Sequence, residues 1–150
     1  MTTFVDETTN GLHAPAGARA TLEGTTPMYI TAAVLSVLLA LVALSAGAPK
    51  AMLKGDVSAG LQSHMGLSAG LVRFIGLAEV AAFVGLVMGL FWQPLGIAAA
   101  VGFGITMIGA VGFHAKVGDY ANPATRGNSM APIILALVSA ATAVTLGLAM

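Results

Sequence analysis

The chain has 150 residues, 57% hydrophobic and only 8% charged, and its six basic and six acidic side chains cancel. A soluble domain carries about 25% charged residues, so too few charges are present to cover a free cytosolic globule. The balanced charge also excludes a nucleic-acid partner, which needs a clustered basic face. With a mean hydropathy of +0.92, the chain reads as an integral membrane protein whose first partner is the lipid bilayer. No cysteine is present. Disulfides, thiol nucleophiles, CxxC redox pairs, cysteine-ligated metals and palmitoyl anchors are thereby excluded.

Residues 1–27 are polar and rich in Gly, Pro and Thr, and carry Asp6, Glu7, Arg19 and Glu23. They show no apolar period, so a flexible polar tail is expected ahead of a domain at 28–149. Residues 28–47 are the first apolar run. At about 20 residues and 1.5 Å rise per residue, it is long enough to cross roughly 30 Å of hydrocarbon. It is too long for the core of a secretory signal. Residues 70–91, 95–113 and 131–149 are three more runs of similar length. None alternates with period 2, which excludes a β-barrel. The expected fold class is all-α: an integral membrane four-helix bundle with a polar N-terminal tail.

The connections differ. Trp92-Gln93-Pro94 reads as a tight hairpin with an aromatic anchor at the interface and a proline that starts the next helix. Residues 48–69 form a longer connection with Lys50, Lys54, Asp56 and His64. Its apolar part, 57–67, is expected to lie on the membrane surface as a short helix, with His64 facing solvent. Residues 115–130 hold Lys116, Asp119 and Arg126, and Pro132 suits the first turn of the last helix. Lys50, Lys54, Lys116 and Arg126 share one side, against Arg19 on the other. The positive-inside rule then places the long loops in the cytoplasm and both termini outside a multi-pass cell-membrane protein.

Small residues recur every four positions in each run: Ala32, Ser36 and Ala40; Gly85 and Gly89; Gly102, Thr106 and Ala110; Ser139, Ala143 and Gly147. Such seams let helix backbones approach closely in a membrane. The second run also holds two charges, Arg73 and Glu79. Each costs about 2.5–3.5 kcal/mol near a helix centre, so both should face protein. Glu79 lies about 13 Å below the start of its helix, whereas Arg73 can snorkel to the surface. Glu79 therefore needs a proton or a cation from Lys50, Arg73 or His114. These residues, roofed by Asp119, form a candidate polar pocket, which serves either a ligand or proton or only the register of the helices. His13, His64 and His114 lack ligand spacing, so no metal site is expected. No nucleotide or nucleophile motif is present either.

Helix 1 closes on Ala48-Pro49-Lys50, helix 2 reads Arg73-Phe74-Ile75-Gly76-Leu77-Ala78-Glu79, and helix 3 runs through Met107-Ile108-Gly109-Ala110 to His114 and then Lys116-Val117-Gly118-Asp119. In order and spacing this resembles the DoxX-like family of small four-helix membrane proteins. The family name traces to a membrane subunit of a thiosulfate:quinone oxidoreductase, and relatives are associated with thiol-redox systems or with assembly of membrane complexes. The family pattern falls on Lys50, Glu79, His114 and Asp119. Without cysteine, any thiol chemistry belongs to a partner or substrate. The resemblance implies an accessory subunit of a redox-linked membrane complex, without catalytic activity of its own, joined to a protein partner or to further copies of itself. No cofactor is encoded by a motif, and a bound quinone is the candidate ligand. The alternatives are a quinone-interacting oxidoreductase component and a small-solute or proton pathway.

Overall fold

A computed structural model describes the backbone of residues 16–150 and the side chains from Pro27 onward. It contains five helices: α1 (Ala16–Ala51), α2 (Gly55–Ser63), α3 (Ala69–Met88), α4 (Gln93–Lys116) and α5 (Arg126–Leu148). Four of them are long and apolar enough to cross a membrane, α1 doing so over Pro27–Ala51. The protein is therefore an all-helical membrane bundle, as its apolar runs imply.

Part of the expected tail is helical. Residues 16–27 continue α1 as helix, while 1–15 lie outside the described residues. The short helix expected at 57–67 is observed as α2, shifted toward the N-terminus. The last helix begins at Arg126 rather than 131, which places Pro132 inside α5. Pro132 has no N–H to give the carbonyl of Asn128, one turn earlier. The extra turn is held instead by Thr125, whose carbonyl accepts from both the backbone N–H (3.1 Å) and the hydroxyl (2.9 Å) of Ser129.

The four spans form a ring. α1 packs on α3 and α5, and α4 packs on the same two helices, leaving α1–α4 and α3–α5 as diagonals. Neighbours run antiparallel: Gly47 of α1 lies against Glu79 of α3, Gly89 of α3 against Gly96 of α4, and Gly104 of α4 against Ser139 of α5. The centre is apolar, with Leu39, Ala40, Ala43, Ala82, Leu86, Ala100, Phe103 and Met107 in one cluster. Phe103 is the largest fully buried side chain. The outward faces stay apolar as well, with Phe74, Ile105, Ile108, Leu137 and Val144 among the exposed residues. Such a surface matches hydrocarbon rather than water.

Small residues make the contacts, though not all in the expected register. Ala32, Ser36 and Ala40 are buried, and Gly85 and Gly89 pack against Ala99 and Gly96. On α4, however, Gly102 is exposed with open space beside it. The buried face there runs through Gly96, Ala100, Phe103, Gly104 and Met107. On α5 the buried face keeps Ser139 but continues through Thr142 and Leu146, leaving Gly147 exposed. Small-residue spacing cannot by itself choose between faces when Gly and Ala occupy several of them.

The two ends of the bundle differ in chemistry. At one end lies the hairpin between α3 and α4, with Phe91 and Trp92 exposed. Tyr29 donates its hydroxyl to the Leu90 carbonyl (3.0 Å), and the Gln93 side-chain amide donates to the Ala149 carbonyl (3.1 Å). Every charged residue from Pro27 onward belongs to the opposite half of the bundle or its connections: Lys50, Lys54, Asp56, Arg73, Glu79, Lys116, Asp119 and Arg126.

Candidate functional site

The buried stripe of α1 runs Ala32, Ser36, Leu39, Ala40, Ala43 and Gly47, and the next helical step on that face is Lys50. On α3 the stripe is Val72, Gly76, Glu79, Ala82, Gly85 and Leu86. The two charges are thus members of facing apolar stripes. A helical Cβ is tilted toward its helix N-terminus. In antiparallel helices this sends Lys50 inward from the end of α1 and Glu79 outward from within α3, so the side chains converge. The Lys50 Nζ meets Glu79 Oε1 at 2.5 Å.

Two glycines permit that meeting. A Cβ on Gly76 would collide with the backbone N of Ala51 and would stand 2.7 Å from the carbonyl oxygen of Gly47. A Cβ on Gly47 would stand 2.7 Å from that of Glu79. The α1 and α3 backbones are therefore in direct contact at the level of the ion pair. Glu79 is fully buried, and its second oxygen, Oε2, has no partner. The pair is packed into a close helix contact. Two shallow depressions on the surface lie away from it, one along Ala33, Val34, Val37 and Leu38 and another along Gly109, Gly112, Phe113 and Lys116.

Arg73, one of the three candidate cations for Glu79, is not with it. Six residues correspond to about 120° of rotation on a helix of 3.6 residues per turn, so Arg73 lies off the buried stripe. Its Nε donates instead to the Ala51 carbonyl (3.1 Å). There it satisfies a terminal carbonyl of α1 and complements the negative end of the helix dipole.

Asp119 and His114 form a separate cluster, joined by His64, which is exposed as expected but also bonds the carboxylate. Asp119 follows α4 and is almost wholly buried. Its Oδ2 accepts from His114 Nδ1 (2.6 Å) and its Oδ1 from His64 Nε2 (2.8 Å). The Thr125 hydroxyl donates to its backbone carbonyl (3.1 Å). Hydrogen bonds from His64 and then His114 hold the Asp119 carboxyl below the usual carboxylate range, against the opposing effect of burial. With the carboxylate as acceptor, His64 presents Nε2–H and His114 presents Nδ1–H. The Tyr120 ring meets His114 edge-on at 6.3 Å, and its buried hydroxyl has no partner.

His114 reaches this place by continuing the buried α4 face through Met107, seven residues earlier. His64 caps the end of α2, 55 residues from Asp119. The available signal was topological: the two long connections emerge on the same side, and a carboxylate there has room for two donors. The candidate pocket thus resolves into a buried Lys50–Glu79 pair, a bridged His64–Asp119–His114 triad and an outlying Arg73. Among the described residues, no three potential metal ligands converge on a common point.

No curated protein and no solved structure matches the chain. The DoxX-like family model matches residues 34–146, from the middle of α1 almost to the end of α5. That span includes every residue of both polar clusters and well over half of the sequence, and the chain therefore belongs to the DoxX-like family.

Proposed function

We propose that this DoxX-like protein is an accessory subunit of a redox-linked membrane complex, without catalysis of its own, and that its polar end faces the cytoplasm. The observation that carries this reading is the self-sufficiency of the buried charges. Lys50 and Glu79 neutralise each other inside a glycine-lined helix contact, an arrangement suited to setting helix register. A substrate site would instead hold its charged groups around open space. Five basic and three acidic residues from Pro27 onward belong to the polar half, which supports a cytoplasmic position for the long connections and an external one for the Trp92 hairpin.

A second reading rests on Glu79 Oε2, buried and unpartnered. A buried carboxyl beside a lysine suits a proton step at Glu79, with the Lys50 ammonium donating to a quinone carbonyl. The two readings separate on purification from the native membrane in mild detergent, followed by mass spectrometry of proteins and extracted lipids. A stoichiometric protein partner, retained without a specific small molecule, is the expected result. A quinone held by the wild type and lost from Glu79→Gln would overturn it in favour of the ligand site.

A further inference from the structure

The stretch joining α1 to α3 is attached in an unusual way. At its start, Leu53 and Gly55 have left-handed backbones (φ +53° and +79°), and near its end Gly66 does too (φ +68°). For Leu53 this conformation is unfavourable, because its Cβ crowds the backbone. The intervening α2 touches α1 and α3 but makes no helix-to-helix contact with α4 or α5. Ser58, on its buried face, donates to the Pro49 carbonyl (3.3 Å), the residue before Lys50. Across the bundle end, the side-chain attachment is His64, the C-cap of α2, on Asp119. Asp119 is anchored in turn by His114 and, through its backbone, by Thr125.

We propose that residues 54–66 are a hinged strap, latched across the polar end of the bundle by the His64–Asp119–His114 clasp, and that they shield the Lys50–Glu79 pair from the aqueous side. The three left-handed residues are the hinges. The clasp joins the strap to helices it does not otherwise pack against. Lys50 sits at a helix end, where a lysine ordinarily reaches water, yet its side chain is only 11% exposed. The strap lies beside it through Ser58. Unlatching the strap would give water, a partner or a polar ligand a route to the buried pair. The inference does not depend on which of these is the natural visitor, nor on the accessory-subunit reading.

The chain has only three lysines, Lys50, Lys54 and Lys116, and the last two are exposed. The full-length protein in detergent is treated with a water-soluble amine-acylating reagent, and each lysine is followed by mass spectrometry. Backbone hydrogen exchange is recorded in parallel. His64→Ala is the first variant, because a half-exposed side chain can be removed without opening the core. Acylation of Lys50 should rise about tenfold, the scale of losing one charge-assisted hydrogen bond on a local opening. Lys54 and Lys116 should be unchanged, and exchange should quicken in 54–66 with α3 and α4 still protected. Asp119→Asn, which removes the carboxylate from both histidines, should act in the same direction. Unchanged Lys50 acylation in His64→Ala would overturn the proposal. So would faster exchange spread through α3 and α4, since the clasp would then hold the whole bundle and not a strap.

Discussion

Two carboxylates lie toward the same end of this bundle, and they are accommodated in opposite ways. Asp119, outside the spans, has a hydrogen-bond donor for each oxygen and both donors are imidazoles. Glu79, within a span, has a single cation on one oxygen and nothing on the other. The difference follows from what surrounds them. A loop layer can recruit side chains from several connections, because irregular chain is permitted where water reaches. Inside a span the backbone is confined to helix, and only side chains on facing stripes can meet. Glu79 therefore depends on one partner and on the backbone contact that delivers it.

The sharpest way to break this contrast is to remove the single partner. Lys50→Met should leave an uncompensated carboxyl in the apolar interior, costing about 3–5 kcal/mol. It should appear as a large fall in melting temperature in detergent, or as lost expression. The double variant Lys50→Met with Glu79→Gln should recover a substantial part of that loss, because no charge is left behind. If the double variant is no better than the single, the pair is not what stabilises this contact. The glycine contact comes next. Gly76→Ala should force α1 from α3 and cost about 1–3 kcal/mol by overpacking. Unchanged thermal stability would mean that the backbones do not meet there.

Asp119 gives a smaller effect that depends on pH. Its folded carboxyl titrates below the ordinary 3.8. Its contribution is therefore complete above that value and is lost as pH falls through the depressed one. A melting-temperature profile below about pH 5 should show this acid limb in the wild type and a flatter one in Asp119→Asn. Identical profiles would show that the histidines do not hold the carboxylate in solution. The smallest effect is expected on the lipid-facing side. Gly102→Ala has open space for its methyl and should be neutral or stabilising by up to about 1 kcal/mol through helix propensity. A marked loss would place a neighbour against that face. Orientation is tested in the same cysteine-free chain. A thiol at Lys54 should be shielded from an impermeant maleimide in intact cells, and one at Met150 should be labelled.

Much of this was legible in advance where one residue's cost forces the answer. A glutamate amid apolar residues must face protein and find a cation, and Lys50 is among the few within reach. Arg73, six residues from Glu79, points about 120° away on a helix of 3.6 residues per turn, so it was only one of three candidate cations, and packing alone excludes it. His64 is exposed as expected, but a loop histidine has no periodicity that announces a partner 55 residues away. The α4 seam was misread because Gly102 and Gly104 satisfy small-residue spacing on different faces, and only packing against Ser139 selects Gly104.

By itself the sequence determined the environment, the number of spans and the need for a buried counter-charge. Each follows from transfer free energy, which depends on composition and length and not on neighbours. Tertiary structure alone decided which cation answers Glu79, how the two long connections are joined, and that the expected pocket is two clusters. Those outcomes depend on helix rotation and on the depth at which backbones touch. Both are set by the meeting of Gly47 with Gly76 and of Gly89 with Gly96, and short-range contacts of that kind appear only once the helices have packed.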